Sequence, residues 1–125
     1  MANDFKRFTA SSVNTTAGAG ATAVYTVPST GSVAMESIVI GVTLSNKTNT
    51  GVTASVFLDN YDGSNAATKD VYIVKDASVP SGSSLEVMSG NKLVLQGNGT
   101  TNDVIRVSAG TATALDATVS VLEDV

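Results

Sequence analysis

The chain has no cysteine, no histidine and no tryptophan among its 125 residues, and charged side chains make up only 14% of it. Without thiols or imidazoles there is no disulfide framework, no Cys/His metal site, no Cys nucleophile and no Ser-His or Cys-His pair. Most hydrolase chemistry is thereby closed, and no motif calls for a cofactor. Positive charge is scarce as well: seven Lys and Arg stand against eleven Asp and Glu, a net charge of −4. Phosphate backbones and anionic membranes attract clustered Lys and Arg, so neither nucleic acid nor membrane is expected as a partner. The longest apolar stretch, residues 38–42, falls far short of the roughly 20 residues a membrane span needs. The amino end carries Lys6 and Arg7 without a following apolar segment, so the expectation is a protein made in the cytoplasm and kept soluble.

Hydroxyls and amides take the place of charge. Ser and Thr supply 31 residues and Asn another nine, whereas ordinary soluble domains are about 25% charged. The length suits one domain, whose folding would bury roughly two-thirds of the unfolded chain's surface. Three Asn-x-Ser/Thr triplets, at Asn14, Asn46 and Asn98, follow from the abundance of Ser and Thr, and no glycan is expected on them.

Period two dominates the pattern. In 36–45, Ile38, Ile40, Val42 and Leu44 share one face and Ser37, Gly41, Thr43 and Ser45 the other, as in a half-buried strand. The same alternation runs through 52–59 and 115–123. Shorter runs rich in Val, Ile, Leu or Tyr cover 22–27, 70–75, 84–88, 92–96 and 103–108, which makes eight strands. No window carries a helical stripe. Turn residues separate the runs, among them Pro80-Ser81-Gly82 and Gly90-Asn91, the latter suited to a two-residue hairpin between 84–88 and 92–96. The expected fold is a single all-β antiparallel sandwich over 22–125, jelly-roll-like or with an immunoglobulin-like Greek key. Residues 1–21 form either an edge strand over 4–9 or an arm reaching a neighbouring subunit.

Candidate sites are few. The stretch 59–65 is rich in oxygen ligands, but it lacks the spacing of a calcium loop and reads as a polar hairpin turn. Glu36, Glu86, Asp116 and Glu123 are expected on the solvent side of their strands, unpaired for acid–base work, so no enzyme is expected. Sugar binding wants stacking platforms, and only Tyr25, Tyr61 and Tyr72 offer them besides Phe. More informative are apolar residues on the polar side of their strands: Val39, Phe57, Val74, Met88, Val94 and Leu122. Together with Phe5 and Phe8 near the amino end, they suggest a surface covered by another subunit, in a homo-oligomer or against a different chain.

The succession Val24-Tyr-Thr-Val-Pro28, Ile38-Val-Ile-Gly-Val-Thr-Leu-Ser-Asn46, Tyr72-Ile-Val-Lys-Asp-Ala-Ser-Val-Pro-Ser-Gly82, Ser84-Leu-Glu-Val, Lys92-Leu-Val-Leu-Gln96 and Ser120-Val-Leu-Glu123 resembles small virion structural proteins of tailed bacteriophages, notably those of marine and cyanobacterial phages. It covers nearly the whole chain from Val24 onward. Residues 97–103 depart from it, standing where a tighter Gly-Asp turn would precede the strand from Asp103. The resemblance implies a non-catalytic β-sandwich of the virion, a capsid decoration protein or small tail or neck component, with capsid or tail subunits as partners. From another class, the alternative is a recognition module that grips host-surface glycan through Asp59, Tyr61 and Asp62 and the loop at 97–102.

Overall fold

A computed structural model of the protein describes residues 3–16, 18–28, 35–59, 70–88, 92–97 and 101–124. Among the described residues nine strands follow one another: β1 (Asn3–Ala10), β2 (Thr22–Thr26), β3 (Met35–Asn46), β4 (Val52–Asp59), β5 (Val71–Val79), β6 (Ser84–Glu86), β7 (Leu93–Gly97), β8 (Val104–Ala109) and β9 (Leu115–Asp124). A 3-10 turn, Gly18–Gly20, precedes β2, and no described helix is long and apolar enough to cross a membrane.

The strands form two antiparallel sheets packed face to face. One has the order β1-β9-β3-β6, with β7 also on β3, and the other the order β2-β8-β4-β5. Counted as one interrupted strand, β6 and β7 complete a simple rule: the first half of the chain pairs with the second half in reverse, β1 with β9, β2 with β8, β3 with β6 and β7, β4 with β5. Such a long antiparallel ribbon rolled into two sheets is the jelly roll. All eight strands expected in 22–125 are present, and Asn3–Ala10 adds a ninth along β9.

Alternation fills the space between the sheets. Val42, Leu44, Leu95, Leu115, Val119 and Val121 enter from the first sheet, and Val52, Val56, Ile105 and Val107 from the second, all buried. Val13, between β1 and β2, is also fully buried, and its N–H donates to the Leu115 carbonyl at 2.9 Å. Among the described residues of this segment, Asn3–Ala10 thus lies in the sheet and Val13 in the core.

Two irregularities are settled by local chemistry. Between Ala54 and Val56 the register with β5 slips, and Asp76 takes a left-handed conformation (φ 53°). Asp tolerates that region better than most residues, and the displaced Asp76 N–H donates to Ser55 Oγ at 2.9 Å. The turn at 80–83 places Gly82 at φ 64° with Ser83 N–H bonded to the Pro80 carbonyl, a type II arrangement that needs glycine at its third position.

Three expectations need correction. Strands β6 and β7 make no hairpin with each other: β3 is twelve residues long and accommodates both end to end, at Thr43–Ser45 and Met35–Val39. Residues 90–91 themselves lie outside the described residues. The stripe Ile38, Ile40, Val42, Leu44 does not share one face, because a β-bulge between Val39 and Gly41 reverses the parity of β3. Glu123 is not on the solvent side. It continues the inward parity of Ala117, Val119 and Val121 and is 1% exposed.

Candidate functional site: the outer face of the first sheet

The register of the first sheet aligns Phe5 on β1 with Leu122 on β9, Leu122 with Ile38 on β3, and Ile38 with Val94 on β7. Their neighbours along each strand point inward: Lys6 reaches Glu123 between the sheets, Val121 and Val39 are buried, and Leu95 is fully enclosed. Alternation therefore turns all four row members to the outside. The row crosses four strands, three inter-strand spacings of ~4.8 Å, or about 14 Å. Its ends are the most open, Phe5 at 78% and Val94 at 55% exposed, while Ile38 and Leu122 between them are half-buried. Ile40, unpaired in the bulge, adds a further apolar side chain at 39% exposed.

Polar rows flank the apolar one. One residue pair toward the end of β3 that begins at Met35, Glu36 is paired with Gln96. On the opposite flank, Arg7 is paired with Ser120, and Lys92, immediately before β7, precedes Val94 on the same face by alternation. Glu36, Arg7 and Lys92 are all exposed, and none makes an ion pair among the described residues. The flank of Arg7 and Lys92 also carries Glu86, exposed on β6 opposite Thr43, whose Oγ1 donates to Glu86 Oε1 at 2.9 Å, so the apolar stripe has acid on one side and both signs of charge on the other.

The expected interface residues divide among several locations. Phe5 and Leu122 belong to the outer row. Phe8 points inward, its ring 4.7 Å from that of Tyr25. Val39 is fully buried, so it cannot line an outer surface; the bulge after it explains the error. Met88 is half-buried against the core, as is Val74. Phe57 does lie on the outer face of the second sheet, paired with Arg106 and Tyr72, but it is nearly buried and meets the Tyr72 ring edge-on at 5.0 Å. The alternation missed Ile38 and Ile40, assigning them to the core. The signal was Gly41, since an isolated glycine inside a strand marks a bulge.

Of the expected recognition residues, Tyr61 and Asp62 lie outside the described residues. Asp59 is engaged elsewhere: its Oδ2 accepts from Arg106 Nε at 2.9 Å, while Arg106 Nη1 donates to the Ala21 carbonyl at 3.1 Å. Those bonds tie β4, β8 and the start of β2 together on the outside of the second sheet.

A second cluster lies inside. The Tyr25 hydroxyl donates to Glu123 Oε2 at 2.6 Å and lies 2.7 Å from Ser37 Oγ, while Lys6 Nζ approaches Glu123 Oε1 at 3.1 Å. The ammonium is at ion-pair distance without hydrogen-bond alignment, which leaves Oε1 with no directed bond among the described residues. Burial, and then the Glu123 carboxylate, push the Tyr25 phenol well above its ordinary 10.0. Tyr25, Ser37 and Glu123 are at most 2% exposed, so no substrate reaches them, and the cluster locks β2, β3, β9 and β1 together. Among the described residues no three acidic side chains gather as a metal site would require.

Fold and face together define an all-β jelly roll with an apolar stripe across the outside of one sheet. No protein family, curated protein or solved structure matches this chain.

Proposed function

We propose that this protein is a non-enzymatic structural subunit of a tailed-phage virion, a capsid decoration or stabilising protein or a small tail or neck component. The observation that carries the assembly reading is the outward row Phe5, Leu122, Ile38 and Val94, with Ile40 beside it. A free-standing antiparallel sheet turns polar residues to water on its open face, and a contiguous apolar stripe there signals a protein-protein contact. The resemblance to small phage virion proteins supports the particle. The jelly roll is in keeping with it, being frequent in viral capsid domains, although lectins and cupins use it too. The virion is accordingly the proposed location, with capsid or tail subunits as partners.

The test is composition of the particle. Virions purified from infected cells should contain this chain in many copies that resist removal by salt, since apolar contacts are not screened. A chain confined to the soluble fraction of the lysate and absent from purified particles would refute the proposal.

A further inference from the structure

The free edge of β1 is open to a further strand. Each sheet has two edges: β1 and the β6/β7 pair in the first, β2 and β5 in the second. Exposed edges invite pairing with another chain, and short strands, bulges and charges discourage it. Among the described residues three of these edges are guarded in that way. Strands β6 and β7 have three and five residues, β2 has five and slips register between Ala23 and Tyr25, and β5 is bulged with Asp76 in a left-handed conformation. By contrast β1 pairs with β9 without a break from Asn3 to Ala10, and Asp4, Phe5, Lys6 and Arg7 are all exposed. We infer that β1 pairs antiparallel with β1 of a second copy of this chain, about a two-fold axis that stands perpendicular to the first sheet and passes beside Phe5. This goes beyond the virion reading and does not depend on it.

The sequence of β1 selects the register. A two-fold perpendicular to the sheet keeps the outer faces together, so one residue of β1 faces its own copy at the axis and the others pair around it. Centring on Asp4, Lys6 or Arg7 sets that charge directly opposite itself, which is destabilising. A centre at Asn3 takes Asp4 and Phe5 off the start of the partner's β1, and a centre beyond Arg7 takes Phe5 past its end at Ala10. Centring on Phe5 sets ring beside ring on the outer side and, on the inner side, Asp4 opposite the partner's Lys6, a contact the symmetry makes twice. Asp4 needs that cation: it stands opposite buried Glu123 on β9 and has no ion pair among the described residues, because Lys6 of its own chain reaches Glu123. Arg7 then opposes Asn3, whose neighbour in register on β9 is Asp124, so no like charges meet there. The remaining charges of this sheet stand away from the axis. Glu36, Glu86 and Lys92 lie on β3, on β6 and just before β7, at least two strands from β1, and Asp116 is held by Lys47 and the Ser12 N–H beyond the far end of β1. Pairing also buries part of Phe5, 78% exposed in the single copy, and joins the two apolar rows end to end. Val94, Ile38, Leu122 and Phe5 continue into their counterparts across eight strands, about 34 Å.

The full-length chain tests this directly. Sedimentation equilibrium should show a concentration-dependent monomer–dimer equilibrium. Because the chain has no cysteine, Phe5→Cys places one thiol per copy at the axis. Residues directly opposite in an antiparallel pair have Cα atoms about 4.5–5.5 Å apart, within disulfide reach, so mild oxidation should link F5C into a covalent dimer in high yield. Arg7→Cys is the register control: its two copies lie four residues apart along the strands, roughly 14 Å, and should not link. Asp4→Lys sets like charges opposite each other twice and should weaken dimerisation by about tenfold or more. In its own chain that lysine stands opposite Glu123, so thermal unfolding of D4K should show the fold retained. A wild-type monomer at all concentrations, a dimer that F5C does not link, equal linking of F5C and R7C, or a dimer indifferent to D4K would each overturn the pairing. Failure here and failure of the virion reading are distinct: a chain monomeric in solution but present in particles removes only the pairing, and a dimer of this kind absent from particles removes only the virion.

Discussion

Replacing Tyr25 with Phe deletes one oxygen atom from the interior and keeps the ring that packs on Phe8 at 4.7 Å. The hydroxyl it removes donates to Glu123 Oε2 at 2.6 Å and contacts Ser37 Oγ at 2.7 Å, with all three residues buried. A hydrogen bond to a charged group contributes about 1.5–3 kcal/mol and a neutral one about 0.5–1.5 kcal/mol, and Oε2 cannot recover its partner from water. The expected loss is about 3 kcal/mol. With an unfolding entropy of about 2.1 cal/mol/K per residue over 125 residues, this lowers Tm by about 11 °C. Thermal and urea unfolding of Y25F at pH 7 measure it. Glu123→Gln and the double variant complete a thermodynamic cycle, in which the second substitution should cost less than it does alone, because the two groups share one bond. A Tm within 2 °C of wild type for Y25F would refute the reasoning, since it would mean that the carboxylate finds equivalent bonding without the phenol.

Other perturbations follow from the same geometry. The Tyr25 phenol is held protonated by burial and by Glu123, so above its ordinary value of 10.0 the folded state binds a proton that the unfolded state releases. Stability from this group is complete below pH 10 and falls as pH rises beyond it, by up to ~1.4 kcal/mol per pH unit, so the wild-type advantage over Y25F should shrink between pH 10 and 12 in urea titrations. Asn46→Ala removes a buried amide whose Nδ2 bonds the Thr50 carbonyl at 2.8 Å and the Val79 carbonyl at 3.0 Å, and whose Oδ1 accepts from the Thr48 N–H at 2.9 Å; the cost should be about 2–4 kcal/mol by urea denaturation. Lys47 bonds Asp116 at 2.8 Å and, with the Ser12 N–H, holds that carboxyl below its ordinary 3.8. The stability so gained is present above pH 4 and lost as pH falls through the lowered value. Both partners are well exposed, so Lys47→Ala should cost under about 1 kcal/mol at pH 7, with the difference from wild type fading in acid.

The strand pattern of 22–125 was readable because alternation and turn chemistry agree there: Val52, Ala54 and Val56 enter the core as period two requires, and Gly82 makes its turn. Pairing across the chain was not readable, since which strand lies beside which depends on contacts between distant residues. The face residues were half legible. Val94 and Leu122 stand out as apolar on a polar side, and strict alternation finds them. Ile38 and Ile40 are lost to the same rule, because one extra residue in β3 exchanges inside and outside, and Val39 is lost in the opposite sense. Glu123 was obscured by its charge. A lone carboxylate reads as solvated unless Tyr25, 98 residues away, is known to be bonded to it. Asn46, which looks like a glycan acceptor by its triplet, is instead a buried clamp on its own loop.

The central claim is that the outer row of the first sheet is the assembly surface. Val94→Lys tests it most directly, because Val94 is already 55% exposed and a lysine there costs the isolated fold little. Particles produced with V94K replacing wild type should lose most copies of this chain on purification, while the purified variant melts within a few degrees of wild type. Incorporation of V94K at wild-type copy number would contradict the account.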